Sequence, residues 1–209
     1  MYKRPITSDE VFLNIPYDED FEPLYLAFIA GLAGFGLVPH AVLEIPTSER
    51  RLDRIFSLIG KCGMSFHDLS RVELDRKQPK TPRFNMPFEL GLVVALQRKW
   101  MRMRSHQWYV FEAKAHRAEK SLSDIKGTEI FIHDGTPLGV LRQLANLLIR
   151  RQQQPTLVEL QAILLELNKA AVRTQKELHV KSLFEPRVFV DLVNAAIEIA
   201  RRRVKSLSP

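Results

Sequence analysis

Val11-Phe12-Leu13-Asn14-Ile15-Pro16-Tyr17-Asp18-Glu19-Asp20-Phe21 is the stretch whose reading decides the fold. Residues 11–15 are apolar except for Asn14 and stop at a proline. A short, almost unbroken apolar run of this kind suits a strand buried on both faces. Asp18, Glu19 and Asp20 then supply carboxylates where a helix N-terminus favours them. The segment 21–35 that follows is apolar nearly all round, through Leu24, Leu26, Phe28, Ile29 and Leu32, and closes at Gly34 and Gly36. Such a helix needs cover on more than one side. Glycine ends it because glycine enters the left-handed conformation without strain.

The alternation continues outward from this unit. Further strands are expected over 37–45, 64–69, 107–113 and 128–133. Helices are expected over 50–61 (with Ser48 as N-cap and Leu52, Ile55, Phe56 and Ile59 at helical spacing), 87–98, 115–125 and 137–152. Residues 71–85 hold Pro79, Pro82 and several charges, and form a connection longer than usual, which points to function or mobility. Strand and helix alternating five times predicts a five-stranded parallel sheet with helices on both faces and right-handed crossovers. After Gln152-Gln153-Gln154-Pro155 the pattern changes to two amphipathic helices, 156–178 and 186–204, with no strand between them. The expected organisation is an α/β domain over 1–152 and a helical C-terminal extension over 153–209.

With 209 residues, 45% of them hydrophobic and 26% charged, the chain can bury one core of ordinary size and is not of disordered composition. Cys62 is the one cysteine, so no internal disulfide forms and a reducing compartment is expected; a buried structural thiol is the favoured role. The N-terminus lacks the apolar core of a signal peptide, and no apolar run reaches the ~20 residues of a membrane span. A cytoplasmic protein without a membrane partner is the expectation. The net charge of +7 is concentrated beyond residue 135, where the net is +6. That basic end reads either as a solvated helical face or as a nucleic-acid contact through the C-terminal helices.

Ligands of open parallel sheets bind beyond the carboxyl ends of the strands. The residues expected there are Asn14 and Tyr17 after the first strand, His67, Asp68, Ser70 and Arg71 after the third, and Asn85, Met86 and Glu89 at the start of the following helix; Ser123, Asp124 and His133 come later. Two of them, Asp68 and Glu89, are acids on neighbouring elements. Glu89 lies in Phe88-Glu89-Leu90-Gly91-Leu92, read as the first turn of an otherwise apolar helix, where a carboxylate costs free energy unless it meets a cleft or a partner. Gly91 removes bulk beside it. The competing reading is a favourable first-turn acid worth ~0.3–1 kcal/mol. Asp68 reads equally as a turn cap or as a partner of Arg71, and His67 as a satisfied structural histidine. The six histidines show no paired ligand spacing, so no metal site is expected. There is no glycine-rich phosphate loop and no Gly-x-Ser-x-Gly elbow, which removes conventional dehydrogenases, NTPases and α/β-hydrolases.

Val11 through Phe21 resembles the opening of TIR domains: a hydrophobic strand, a small polar residue, an aromatic and an acid. Asp68-Leu69-Ser70, followed by Phe84-Asn85-Met86-Pro87-Phe88-Glu89-Leu90-Gly91-Leu92, resembles nucleoside 2-deoxyribosyltransferases, in which an Asp ends a strand and a Glu at a helix start is the nucleophile. The chain is also similar to an uncharacterised group of bacterial TIR-like proteins, with 120–125 and 127–133 as further similar segments; the resemblance covers about residues 10–150. It departs from the transferases in having Arg83-Phe84-Asn85-Met86-Pro87 where they carry a glycine-rich stretch, and from TIR domains in its helical extension. Both families imply a flavodoxin-like fold and cleavage of an N-glycosidic bond. By this resemblance Glu89 and Asp68 are the catalytic pair. Asn14, Tyr17, Ser70, Arg71, Asn85, Met86 and Phe88 bind substrate, and Phe12, Tyr17 or Phe88 stacks on a base. NAD or a related nucleotide is the substrate, no cofactor is required, and the protein works as a homo-oligomer in bacterial phage defence. Nucleoside deoxyribosyl transfer, nucleotide N-hydrolysis and non-catalytic nucleotide sensing are the alternatives.

Overall fold

The computed structural model describes residues 9–44, 50–71, 83–100, 106–149 and 154–204, with the side chains of 98–100 excepted. In chain order the elements are β1 (Glu10–Asn14), α1 (Glu22–Gly34), β2 (Val38–His40), α2 (Arg51–Lys61), β3 (Met64–Asp68), α3 (Asn85–Trp100), β4 (Gln107–Glu112), α4 (Arg117–Ser121), β5 (Ile130–Ile132), α5 (Pro137–Leu147), α6 (Leu157–Leu178) and α7 (Pro186–Arg203). Short 3-10 turns occupy Glu19–Phe21, Val42–Glu44 and Ser123–Ile125. The strands form one sheet in the order β2-β1-β3-β4-β5. β1 pairs β3 and β3 pairs β4 in parallel, with Asn14 opposite His67 and Asp68 opposite Phe111. This is the flavodoxin-like, doubly wound arrangement, and the strand order reverses between β1 and β3.

Contacts divide the chain into two compact units: Met1–Pro16 with His40–Val42 and Pro46–Phe131, and Tyr17–Pro39 with Leu43–Ile45 and Ile132–Pro209. In the first unit α2 and α3 pack on β1. Phe12, Ile55, Ile59, Cys62 and Val93 form one buried cluster, and Leu69, Met86, Leu90, Val110 and Ala118 a second. Ile55 and Ile59, one turn apart, are the inward stripe of α2, whereas Leu52 and Phe56 stay exposed. The rings of Phe66, Tyr109, Phe111 and Phe131 contact one another from neighbouring strands, as cross-strand positions on one sheet face do.

In the second unit α1 packs against α5, α6 and α7. Every residue of α1 from Leu24 to Gly34 is buried, as its all-round apolar sequence requires. A Schellman motif ends it: the Leu37 amide donates to the Leu32 carbonyl (3.0 Å) and the Gly36 amide to Ala33 (2.8 Å), with Gly36 at φ 69°. A methyl group at Gly31 would fall 2.5 Å from Leu144 Cδ1 of α5, and one at Gly34 would clash with Leu160 of α6, so these two glycines permit the close approach of both helices. The helices of the expected extension, α6 and α7, thus lie on α1. No helix among the described residues is long and apolar enough to cross a membrane.

Several boundaries differ from expectation. Of the second strand expected over 37–45, only Val38–His40 forms, with Pro39 tolerated because β2 is an edge strand, before the chain enters the 3-10 turn Val42–Glu44. α3 starts at Asn85 rather than 87: Pro87 is accommodated in its first turn, where amides have no intrahelical acceptor anyway. The helix expected over 115–125 divides into α4 and a 3-10 turn, and α5 stops at Leu147. The N-cap of α2 is Arg50, which makes no side-chain cap bond; Ser48 and the connection over 72–82 lie outside the described residues.

Candidate functional site

The earlier start of α3 changes the reading of Glu89. It sits in the second turn, not the first, and no acid occupies the first turn. The macrodipole therefore does not account for it. Glu89 is 4% exposed, on the same side of α3 as the buried Met86 and Leu90. Burial pushes its carboxyl up from the usual 4.5 to about 7, against the opposing pull of the Arg51 guanidinium. Arg51 Nη2 stands 3.7 Å from Glu89 Oε1, and its side chain is 58% exposed. Arg51 was not singled out by the sequence; its first-turn position on a helix two elements away from Glu89 carries no local signal. Gly91 is exposed, and a methyl group built there meets nothing within 4 Å, so it does not serve a close approach.

Asp68 ends β3 with its side chain fully buried. Its Oδ1 accepts the Ser70 amide at 2.9 Å, an Asx turn. Strand alternation directs Asp68 to the sheet face opposite His67 and Asn14. Met86 of α3 meets the Asn14 side: Asn14 Nδ2 donates to the Met86 carbonyl at 3.0 Å. Strand alternation thus assigns Asp68 to the face of β3 opposite the one that Asn14 and Met86 meet.

Asn14 is 3% exposed, and its amide nitrogen also donates to His67 Nδ1 at 2.9 Å. Both amino hydrogens are therefore committed inside the protein. His67 is fully buried, and its pKa is pushed down to about 3 by burial and by the neighbouring His106, so it is a neutral, satisfied histidine at neutral pH. Met86 belongs to the apolar cluster; its carbonyl, not its side chain, is the polar contact. Asn85 is exposed at the first position of α3, and Phe88 beside Glu89 is 57% exposed. Phe84, 68% exposed and one turn before Phe88, makes a second open aromatic that the sequence reading passed over. Phe12 is fully buried with its ring edge-on to His67, which removes it as a stacking platform. Tyr17 belongs to the second unit, where its ring contacts Phe184 at 5.6 Å. Ser70 and Arg71 are half-buried.

A third acid, Glu112, was missed. It ends β4 and is fully buried. Its carboxylate takes the Ala113 amide (2.7 Å) and a two-pronged contact from Arg117, whose Nη2 also donates to the Ser70 carbonyl at 2.7 Å. The signal was present, as a Glu closing an apolar strand with an Arg five residues on. The saturated pairing makes Glu112 a brace for the chain turn at Ser70. Among the described residues no group of three His, Cys, Asp or Glu side chains is placed to hold a metal ion.

No family model, curated protein or solved structure matches the chain.

Proposed function

We propose that this protein cleaves the N-glycosidic bond of NAD or a related nucleotide, with the Glu89 carboxylate attacking or stabilising the ribosyl cation. The observation that supports this most directly is Glu89 itself: a carboxyl buried in apolar surroundings yet paired with a solvent-facing arginine. Strongly perturbed acids at a sheet's ligand-binding edge are where catalytic groups concentrate. Breakage of the C1–N bond leaves the electron pair on the base and positive charge on the sugar. A carboxylate held in a low-dielectric pocket offsets that charge, and water then completes hydrolysis at C1. Nicotinamide leaves a cationic ring as a neutral molecule and needs no proton donor. Asp68, whose Oδ1 accepts an amide hydrogen on the other face, is a poor fit to the acid that a purine or pyrimidine leaving group would require. NAD is therefore favoured over nucleoside base exchange. Phe84 and Phe88 offer exposed rings for a base, and Arg51 a guanidinium for a phosphate.

The test is mass spectrometry of a nucleotide mixture, NAD included, before and after incubation with wild type, Glu89→Gln and, as a control, Glu44→Gln. Nicotinamide release is expected in wild type and Glu44→Gln and at least 10³-fold slower in Glu89→Gln; full turnover in Glu89→Gln would sink the assignment. Base exchange in place of hydrolysis would identify a transferase, and ligand binding without turnover a nucleotide sensor.

A cytoplasmic role in phage defence and assembly into a homo-oligomer belong to the same proposal. Val158, Leu165 and Val172 are exposed at seven-residue spacing along α6, which suits helix-to-helix association. Nucleic-acid contact through the basic helix ends has less support, because Arg202 and Arg203 of α7 are paired with Glu166.

A further inference from the structure

Six residues, from the strands β1 and β3, the helix α3 and the chain beside α2 and β4, form one buried hydrogen-bonded chain. Asn14 Nδ2 contacts the Met86 carbonyl (3.0 Å) and His67 Nδ1 (2.9 Å). His67 Nε2 contacts Ser65 Oγ at 2.8 Å, and Ser65 Oγ contacts His106 Nε2 at 2.9 Å. His106 Nδ1 reaches the Cys62 carbonyl at 3.0 Å. All six residues are at most 5% exposed.

The proton positions in this chain follow from its two ends. A carbonyl can only accept. At one end, the amide nitrogen of Asn14, not its oxygen, must therefore face Met86. The same nitrogen faces His67 Nδ1, so Nδ1 accepts and the proton of neutral His67 sits on Nε2. That Nε2–H donates to Ser65. At the other end, His106 must carry its proton on Nδ1 to donate to Cys62, which leaves its Nε2 an acceptor. The single hydroxyl hydrogen of Ser65 then goes to His106. Every donor meets an acceptor, and no other arrangement of the neutral groups does so.

We infer that this chain is a positioning device for the candidate site: Ser65, His67 and His106 lock the Asn14 amide, and Asn14 holds the first turn of α3 through the Met86 carbonyl, one turn ahead of Glu89. Asn14 is then not a donor to substrate, since both its amino hydrogens are used within the protein. The inference rests on the proposed role of Glu89 only where turnover is concerned.

Long-range proton–nitrogen NMR of the wild-type imidazoles reads the proton positions directly. The expected result is opposite tautomers, Nε2–H in His67 and Nδ1–H in His106; the same tautomer in both, or a cationic ring at neutral pH, overturns the chain. Ser65→Ala breaks its middle, and Ser65→Thr keeps the hydroxyl. In Ser65→Ala, amide exchange at 86 and 88–90 is expected to quicken relative to the rest of α3, and the Glu89 carboxyl titration, followed by carbon-13 NMR, to move; Ser65→Thr restores both. Nicotinamide release is expected to fall about 10- to 100-fold in kcat with little change in KM. An inactive wild type counts against the glycosidase reading alone, because exchange and titration still judge the positioning. Unchanged exchange and an unmoved Glu89 titration in a folded Ser65→Ala overturn it.

Discussion

At Glu89 the proposed chemistry and the stability of the fold pull in opposite directions. Its carboxyl titrates near 7 in the folded protein and near 4.5 in the unfolded chain. Between those values the folded state holds the extra proton, so stability falls as pH rises through this window, and above about 7 the full cost of burying the charge is present. Replacement by neutral glutamine is expected to stabilise the protein by about 3 kcal/mol at pH 8 and by almost nothing at pH 4, measured as denaturant midpoints at the two pH values. In the proposed reaction Glu89 acts in its ionised form, so nicotinamide release should climb with pH through about 7. Arg51 opposes the effect of burial. Arg51→Ala should therefore move the midpoint of the activity profile to higher pH; an unmoved midpoint would show that the guanidinium does not act on this carboxyl.

At the scale of elements, helix starts and glycines determine what each segment can do. Gly139 lies in the first turn of α5, where a β-carbon would collide with the His133 carbonyl. Backbone cannot step aside as a side chain does, so Gly139→Ala should cost about 1–3 kcal/mol despite alanine's better helix propensity, read from thermal unfolding. Most of the sheet and helix pattern was legible in the sequence, because the 11–15 run and α1 are apolar almost throughout and the amphipathic α2, α6 and α7 each carry a helical period. Among the boundaries that moved, the second strand gave way to the 3-10 turn Val42–Glu44, and Pro87 allowed α3 to begin before it. Of the site, Glu89 was legible as a charge misplaced in an apolar helix. The ties of Asn14 to His67 and Met86, and the nearness of Arg51 to Glu89, were not, since they join residues 38 to 72 positions apart and depend on register and helix rotation rather than on local pattern.

For the whole molecule, the two compact units interleave along the chain, and each includes residues from both sides of β2. The tail is therefore not an optional addition to an independent N-terminal half. A chain ended at residue 154, before α6, would strip two of the three helices that cover α1. It is expected to aggregate or to fail cooperative unfolding, whereas a soluble, cooperatively folded truncation would show that α1 is adequately covered without them. The same feature bears on biosynthesis. α1 is complete by Gly34, but α6 begins only at Leu157. At ordinary rates of translation roughly ten seconds separate their emergence from the ribosome. Through that interval the nascent chain carries an uncovered, all-apolar helix, which makes this protein a natural client for chaperones that act at the ribosome exit.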